Sequence, residues 1–363
     1  MSTATRDEVS DTDLLAATAE LVAIHSLSHC EGALADLVER RLRPCPWLEV
    51  ARSGDNVVAR TSLGRAHRLI VAGHLDTVAP NQNAEPRVDG DTLWGVGAAD
   101  MKGGLAVMLD LATTTTAPAV DLTWCFYVCE EVTRADSGLL HLWTEHPDLL
   151  AGDAAILGEP TGALVEAGCQ GSMRVLVTLR GVRAHTARPF TGRNAIHRLG
   201  PLLERVATWG GRSVVLDGCT FVEQLQAVAV EGGVAGNVVP DAASVTLNFR
   251  YAPDRDLAGA EAFLRQLLDG TFAETEGDRW SVVDGADGAP PSLGHPLLAA
   301  LVARTGTAPN AKVGWTDVAS FWEHGIPAAN FGPGDPLLAH HPDEHVTRAQ
   351  LDRARAVLDA LIV

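Results

Sequence analysis

The sequence predicts an α/β protein in which a mostly parallel sheet is flanked by helices and a small α+β domain is inserted. Three apolar runs in the first half, at 69–72, 122–129 and 154–157, are continuous, which is typical of strands buried on both faces. Helix-like segments such as 101–111 separate these runs, and strands that alternate with helices favour a parallel sheet. From about residue 173 apolar and polar residues alternate instead, which indicates antiparallel strands with one buried face.

Length and composition indicate an acidic globular protein of two or three domain-sized units. The chain has 363 residues, 46% of them hydrophobic and 20% charged, with a formal net charge of −18 at pH 7. Nucleic acids and anionic membranes both bind basic surfaces, so we expect neither as a partner. No apolar run approaches the roughly 18 residues of a membrane span, and residues 1–13 lack the apolar core of a secretory signal. We therefore expect a cytoplasmic protein.

The order of the predicted elements sets the domain boundaries. From about residue 173 the chain reads as strand, helix, two strands and helix, and this unit closes near a Gly/Ala/Pro-rich linker at 283–292. We therefore expect one domain to comprise 1–172 and 288–363, with 173–287 inserted into it. The last helix is expected to begin after Thr347, a good N-cap residue.

Polar residues follow the apolar runs where the predicted strands end. They are His74 and Asp76 after the first run, Glu130 and Glu131 after the second, and Glu159 after the third. In open α/β sheets ligands bind outside the carboxyl ends of the strands. Imidazole nitrogens and carboxylate oxygens are also the ligands that zinc accepts, so the pattern favours a metal site over solvated turns.

The stretch GVGAADMKGG at 95–104 permits three interpretations. It has the first two glycines of a dinucleotide-binding loop, but Asp100 occupies the position of the third, where a carboxylate would repel a pyrophosphate. Asp100 could also be a helix N-cap. The interpretation we prefer is a flexible loop that directs Asp100 at a metal.

The histidines near the C-terminus are weak candidates by themselves. His340, His341 and His345 lie close together, and most histidines in proteins are not ligands. His340 matters only because a site for two metals needs a second imidazole.

Taken together, these residues and the motifs around them resemble a di-zinc amidohydrolase family of aminoacylases, carboxypeptidase-like enzymes and succinyl-diaminopimelate desuccinylases. Within the family the sequence is most similar to the actinobacterial type of the desuccinylases. The matching motifs occur in the family's order over nearly the whole chain: GHLDTV (73–78), GVGAADMKGG (95–104), CEE (129–131), LGEPT (157–161), RGVRAHTARP (180–189), GNVVPDAASVTLNFR (236–250) and AHHPDEHV (339–346).

The resemblance implies a zinc-peptidase-like catalytic domain with two Zn²⁺ ions, one of which could be replaced by Co²⁺ or Mn²⁺. By motif, His74 and Glu159 hold one ion, Glu131 and His340 hold the other, and Asp100 bridges both. The inserted domain is expected to be a lid that also forms a homodimer.

The resemblance also assigns catalytic and substrate-binding roles. Glu130 is expected to be the general base and Asp76 to orient the ring of His74, while His185 reaches the active site of the partner subunit. Three residues of the lid and the C-terminal segment are expected to contact the substrate. Arg250 would bind a carboxylate, and the other two are Asn237 and Thr316.

The expected reaction is hydrolysis of an N-acyl amino acid, foremost N-succinyl-LL-2,6-diaminopimelate in lysine and cell-wall precursor synthesis. Three departures from the family pattern leave the acyl group open: the pair His25 and His29, Gln170, and the segment VTRADSG at 132–138. The near alternative is a deacylase or peptidase of the same fold in a secondary pathway. The remaining alternatives are a nicotinamide dehydrogenase and a metal-free binding protein.

Overall fold

The computed structural model describes residues 12–363, and the chain divides there into two units. The first unit comprises the residues up to Ala167 together with Ser292–Asn310 and Ser320–Val363, and the second comprises Gly168–Pro291 and Ala311–Ala319. Residues 1–11, which carry most of the stretch examined for a secretory signal, lie outside the described residues. No helix within 12–363 is both long and apolar enough to cross a membrane.

Helices and strands are numbered here in chain order. Within 12–363 the α-helices are α1 (Leu14–Val22), α2 (Gly32–Leu42), α3 (Gly103–Thr114), α4 (Gly138–Glu145), α5 (Ala195–Thr208), α6 (Leu257–Leu267), α7 (Pro296–Thr305), α8 (Val318–Glu323) and α9 (Arg348–Ile362). The strands are β1 (Glu49–Ser53), β2 (Asn56–Arg60), β3 (Arg68–His74), β4 (Arg87–Asp89), β5 (Thr92–Trp94), β6 (Asp121–Tyr127), β7 (Ala154–Leu157), β8 (Glu166–Ala167), β9 (Gly171–Arg180), β10 (Ala184–His185), β11 (Ser213–Leu216), β12 (Cys219–Val222), β13 (Gln224–Gly232), β14 (Val238–Val239), β15 (Ala242–Tyr251), β16 (Arg279–Ala286), β17 (Asn310–Ala311), β18 (Ala328–Asn330) and β19 (His345–Thr347).

The main sheet of the first unit is parallel at its centre, as the continuous apolar runs predict. Its order is β1-β2-β6-β3-β7-β18-β8, with β17 at the far edge. The pairs β3–β6, β3–β7 and β7–β18 are parallel, whereas β1–β2, β2–β6 and β18–β8 are antiparallel. Every residue of β6 and β7 is buried, so both faces of the sheet are covered at its centre.

A small second sheet in the first unit joins two segments that are distant in sequence. Its order is β19-β5-β4, and His345 pairs with Trp94 across β19 and β5. This pairing brings the chain around residue 340 next to the loop at 95–102. Helix α9 follows directly, with Thr347 as its N-cap and a hydrogen bond from Gln350 N–H to the threonine hydroxyl, as predicted.

The second unit is an antiparallel α+β unit, as the alternating pattern predicts. Its sheet has the order β13-β15-β9-β16, and α5 and α6 pack against it. Alternate residues of β9 and β15 are buried with these helices, among them Val175, Val245 and Phe249. The side chains between them lie on the other face of the sheet and are partly or fully exposed. This alternation is typical of a sheet with one buried face.

The boundaries of the second unit differ from the predicted 173–287. Segment Ala311–Ala319, which the sequence places in the catalytic domain, belongs to the second unit. Several hydrogen bonds hold it there; among them, Gln170 N–H donates to the carbonyl of Gly314, and the indole Nε1 of Trp315 donates to the carbonyl of Asp287. Such long-range contacts leave no signal in local composition.

Candidate metal centre

The register of the parallel strands brings three strand ends to one edge of the main sheet. His74, the last residue of β3, pairs with Tyr127 at the end of β6, and Ala72 pairs with Leu157 at the end of β7. The loops that carry Asp76, the paired glutamates and Glu159 therefore leave the sheet at the same edge. His74 and Asp76 are almost fully buried there, at 1% and 0% exposure.

Asp100 lies in an irregular turn that precedes α3. Gly97 has a φ of 80°, and a Cβ atom there would come within 2.6 Å of the Thr77 side chain, so the turn requires glycine. The π-type turn Ala98–Lys102 then carries Asp100 with non-helical φ and ψ of −118° and 93°. The N-cap of α3 is Lys102, so the interpretation of Asp100 as a helix N-cap is wrong.

The strand before this loop also excludes the dinucleotide-binding interpretation. The strand that precedes the loop, β5, belongs to the small sheet β19-β5-β4 and not to the parallel sheet. A dinucleotide loop instead connects a buried strand of a parallel sheet to the helix that holds the pyrophosphate.

The two carboxylate oxygens of Asp100 face two different imidazoles. Oδ1 is 3.2 Å from Nε2 of His74, and Oδ2 is 3.6 Å from Nε2 of His340. Nε2 of His340 is also 2.8 Å from Oε1 of Glu131. Ligand atoms of His74, Asp100 and Glu131 all lie within 4.8 Å of one another. Among the predicted ligands, Glu159 is buried at 5% exposure after β7 and lies outside this group of three.

These separations fit a metal-binding arrangement. Two ligand atoms on a tetrahedral zinc ion with bonds of about 2.0–2.1 Å stand roughly 3.3 Å apart, close to the 3.2 and 3.6 Å at Asp100. A carboxylate that offers one oxygen to each imidazole is compatible with two neighbouring cations. His74, Asp100, Glu131 and His340 therefore suit divalent cations, with imidazole and carboxylate donors of the kind that zinc accepts.

Nearby carboxylates raise the pKa values of both imidazoles. Burial opposes the charged form of His74, but its contacts with Asp100 and Asp76 raise the pKa of its ring well above the ordinary value. Next to Glu131, the pKa of the half-exposed His340 is raised to about 9. Both rings lie in a strongly negative field, which is the field that attracts a cation.

Asp76 contacts more than the ring that it is predicted to orient. Nδ1 of His74 is 3.0 Å from the Asp76 carbonyl oxygen and 3.5 Å from its carboxylate. The carboxylate accepts hydrogen bonds from Ser28 Oγ at 2.7 Å and from the N–H groups of Glu130 and Glu131 at 3.0 Å. Burial opposes ionisation of Asp76, yet His74 and these donors hold its pKa well below the ordinary value. Asp76 thus also fixes the loop that presents the paired glutamates.

Glu31 anchors the same loop one residue earlier, and the sequence analysis does not identify it. The N–H of Cys129, a residue with a φ of 59°, donates to Oε1 of Glu31 at 3.0 Å, and Glu31 is only 2% exposed. Three consecutive N–H groups, those of residues 129–131, are therefore held by two buried carboxylates. The signal in the sequence is faint, because an acidic residue at 31 before a helix is ordinarily a solvated one.

Glu344, in the motif AHHPDEHV, is a second buried carboxylate that was not among the predicted site residues. It is 1% exposed, and its Oε1 accepts the N–H groups of Ala99 and Asp100, both at 3.0 Å. Burial raises the pKa of this carboxyl to about 7. Burial likewise lowers the pKa of nearby Lys102 to about 8, and the Lys102 ammonium donates to the carbonyl of Ile24.

The remaining predicted residues lie in the second unit. His185 is exposed on β10, where its Nδ1 accepts the N–H of Ala187, and Asn237 is exposed beside it, before β14. Thr316 is 4% exposed, and its hydroxyl has no hydrogen-bond partner within residues 12–363. Arg250 lies on β15, on the face away from the unit's core.

Arg250 has an unusual environment for an arginine. Burial and the nearby Arg174 lower the pKa of its guanidinium, which is partly buried. The acidic residue near it, Asp284, forms its ion pair with Arg174 instead, at 2.7 Å. Within the described chain the Arg250 guanidinium forms no ion pair, so it is available to an anionic ligand.

Comparison with known proteins finds one family and several relatives that match most of this chain. Residues 70–363 match the sequence profile of the family described as peptidase family M20/M25/M40. A Mycobacterium tuberculosis protein described as a succinyl-diaminopimelate desuccinylase is 50% identical over 335 residues, which cover 92% of this chain and 93% of that protein. The succinyl-diaminopimelate desuccinylase of Corynebacterium glutamicum is 46% identical over 352 residues, which cover 95% of each chain.

Solved structures match the fold at low sequence identity. Aminopeptidase PepT from Bacillus cereus superposes with a TM-score of 0.78 at 18% identity, over 96% of this chain and 97% of that one. A dinuclear metal-binding peptidase from Bacillus subtilis gives a TM-score of 0.67 at 16% identity, over 96% of both chains.

Proposed function

The chain belongs to the peptidase family M20/M25/M40, and we propose that it hydrolyses N-succinyl-LL-2,6-diaminopimelate to succinate and LL-diaminopimelate. The observation that carries this proposal is the arrangement at the sheet edge, where Asp100 offers one oxygen to His74 and the other to His340. The 46–50% identity to desuccinylases over most of the chain supports the choice of substrate.

Two divalent cations are proposed to bind at this edge. We propose that His74 and Glu159 hold one, that Glu131 and His340 hold the other, and that Asp100 bridges them. When bound, the cations would lower the pKa of water and polarise the carbonyl of the scissile amide. Zinc suits the mixture of imidazole and carboxylate donors, and Co²⁺ or Mn²⁺ is the alternative for one position.

The protein's own contribution to the reaction centres on Glu130. We propose that its carboxylate accepts the proton of the attacking water and delivers it to the amine nitrogen as the carbon–nitrogen bond breaks. The water oxygen remains on the succinyl carbon, so the products are succinate and the free amine. Because Asp76 holds the N–H of Glu130, the loop presents this base in a fixed position.

The substrate carries three carboxylates, and Arg250 is the proposed receptor for one of them. A guanidinium binds a carboxylate through two parallel hydrogen bonds, and that of Arg250 forms no ion pair in the described chain. The hydroxyl of Thr316 and the side chain of Asn237 are proposed as polar contacts.

The substrate proposal is tested by turnover on a matched panel of amides with zinc added. The panel contains N-succinyl-LL-diaminopimelate, its N-acetyl analogue, N-succinyl derivatives of other amino acids, and dipeptides. We expect the highest kcat/KM for the succinylated diaminopimelate. A higher value for another N-acyl amino acid would identify the alternative, a deacylase or peptidase of the same fold, and would contradict the specific substrate.

We also propose a homodimer formed through the second unit, with His185 acting at the partner's active site. Support comes from β13, an edge strand of the four-stranded sheet, in which residues 227–230 are apolar, uncharged and exposed. Exposed edges without charges tend to pair with another strand. The opposite edge strand, β16, carries Arg279 and Asp284, which disfavour such pairing.

Mixed subunits test the assignment of His185. Glu130→Gln and His185→Ala subunits are each expected to be inactive alone, but a mixture of them should regain activity. The mixed dimer would contain one site with both Glu130 and His185, because each comes from a different subunit. Failure to regain activity, with mixed dimers demonstrated by mass spectrometry, would rule out action across subunits.

We propose that the protein resides in the cytoplasm. All six cysteines are free thiols, which is the usual state in a reducing compartment. Fractionation of cells, with activity assayed in each fraction, tests this location.

A further inference from the structure

Glu344 joins the two loops that carry Asp100 and His340. Its carboxylate oxygen Oε1 accepts the N–H groups of Ala99 and Asp100 at 3.0 Å. Its own backbone carbonyl accepts the N–H of Gly95 at 3.0 Å, and its backbone N–H donates to the carbonyl of His341 at 3.0 Å. One buried residue is therefore bonded to the Asp100 turn, to Gly95 before it, and to the residue next to His340.

The turn that carries Asp100 needs such support. It lies between the left-handed Gly97 and the start of α3, and Asp100 itself has non-helical backbone angles. The N–H groups of Ala99 and Asp100 both donate to the carboxylate of Glu344. Buried N–H groups without an acceptor are costly, so removal of this carboxylate should allow the turn to rearrange.

We propose that Glu344 is a positioning residue that holds the Asp100 carboxylate between the imidazoles of His74 and His340. The inference rests on the proposed metal centre and deepens it. The Glu344 carboxylate holds backbone N–H groups of the turn through its Oε1. It acts through Asp100 and through the turn that leads from His340 to β19.

The two cation positions should depend unequally on Glu344. His74 ends β3 and Glu159 follows β7, so the register of the main sheet places both. His340 lies in a loop, with a φ of 63° and half of its side chain exposed, and Glu344 is the buried anchor four residues later. Loss of Glu344 should therefore weaken the position held by Glu131 and His340 more than the position held by His74 and Glu159.

Two substitutions at 344 and one matched control test this inference. Glu344→Ala removes the acceptor, whereas Glu344→Gln keeps a side-chain oxygen that can accept the same two N–H groups. The control is Asp121→Ala at the opposite end of β6. Asp121 is also a buried carboxylate of the first unit, and it accepts the N–H groups of Leu63 and Arg65 at 2.8 Å.

Zinc binding to the metal-free proteins is measured by titration calorimetry, alongside kcat, KM and thermal unfolding of the metal-free forms. In Glu344→Ala we expect one of two zinc ions to bind at least about tenfold more weakly, as is usual when a residue supporting a ligand is lost. kcat should fall with it, while KM changes little. Glu344→Gln should bind both ions with a smaller loss, and Asp121→Ala should lose thermal stability but bind zinc as the wild type does.

The outcomes separate this inference from the proposed function. Wild-type zinc affinity and kcat in Glu344→Ala would overturn the inference, as would an equal loss of zinc binding in Asp121→Ala. If Glu344→Ala fails to fold, Glu344→Gln decides: a folded Gln variant that lacks the second zinc ion overturns the role of the acceptor. Wild-type protein that binds no zinc would contradict the proposed function instead.

Discussion

At the scale of single residues, two buried carboxyl groups have opposite pKa shifts because different ionisable groups lie beside them. Asp76 accepts Ser28 Oγ and two loop N–H groups, and its pKa is held low. Glu344 accepts two N–H groups as well, yet burial raises its pKa to about 7. The first faces an imidazole, whereas the second has the carboxylate of Asp100 nearby. The pKa of each carboxyl group therefore depends on its neighbours in the fold and cannot be read from the residue type.

Substitution of the proposed general base should separate chemistry from metal binding. Glu130→Gln keeps the size and shape of the side chain but cannot accept a proton. We expect kcat to fall by about 10²–10⁴-fold, the usual contribution of a general base. Zinc content by mass spectrometry should be unchanged, because Glu130 is not a proposed ligand. A variant that loses zinc together with activity would show that Glu130 is a ligand.

Substitution of Arg250 should affect substrate binding. Charge-assisted hydrogen bonds contribute about 1.5–3 kcal/mol, so Arg250→Ala should lower kcat/KM by about 10–150-fold, mainly through KM. The control is Arg205→Ala, another arginine of the second unit, whose guanidinium donates to the carbonyls of Leu267 and Asp269. Steady-state kinetics with an unchanged KM in Arg250→Ala would remove this residue from the substrate site.

At the scale of elements, strands are placed by their own patterns, and loops depend on distant anchors. The apolar runs of β3, β6 and β7 are visible in the sequence because burial on both faces requires them. By contrast, the loop at 129–131 is held by Glu31 and Asp76, and the turn at 98–102 by Glu344. These anchors lie 54 to 245 positions away in the chain, so no local window of sequence contains them.

The connection between α6 and β16 has a comparable anchor whose effect depends on pH. Asp278 is 4% exposed and accepts the N–H groups of Arg180 and Ala273, besides its ion pair with Arg198. Burial opposes ionisation of Asp278, but these donors lower its pKa below the ordinary 3.8. The resulting stability is complete well above pH 3.8 and is lost as the pH falls through the lowered pKa.

Asp278→Asn should therefore lower the free energy of unfolding by about 1–3 kcal/mol at pH 7. The difference from wild type should shrink as the pH falls below about 3.8, the ordinary pKa of the group. Urea unfolding of the full chain at pH 7 and pH 3 measures both values. Asp284→Asn, which breaks an exposed ion pair with Arg174, should change stability little at either pH. An equal difference at both pH values would contradict the assignment.

At the scale of the whole molecule, each unit has its own apolar core. The core of the first unit is formed by residues of the main sheet, of α3 and of other helices. The core of the second unit lies between its sheet and the helices α5 and α6. The proposed ligands all belong to the first unit, whereas His185, Asn237, Arg250 and Thr316 belong to the second. Metal binding should therefore stabilise the first unit.

Removal of metal tests this division. Zinc at 100 times its dissociation constant stabilises a folded site by about 2.7 kcal/mol, so EDTA should lower the melting temperature of the wild-type protein. Asp100→Ala should be inactive and should melt at the same temperature with and without EDTA. Circular dichroism should show that its secondary structure is retained. A wild-type melting curve that EDTA leaves unchanged would contradict a stabilising metal centre.

The sequence by itself determined the parallel centre of the sheet and the polar residues at its strand ends, together with the family. These follow from local patterns, because burial of a strand and the spacing of a motif are properties of a short stretch of chain. Only the tertiary structure decided which oxygen of Asp100 faces which imidazole, and that Glu31 and Glu344 hold the loops. It also assigned 311–319 to the second unit. Those features depend on hydrogen bonds between residues far apart in the chain, and such bonds form only once the fold has brought the residues together.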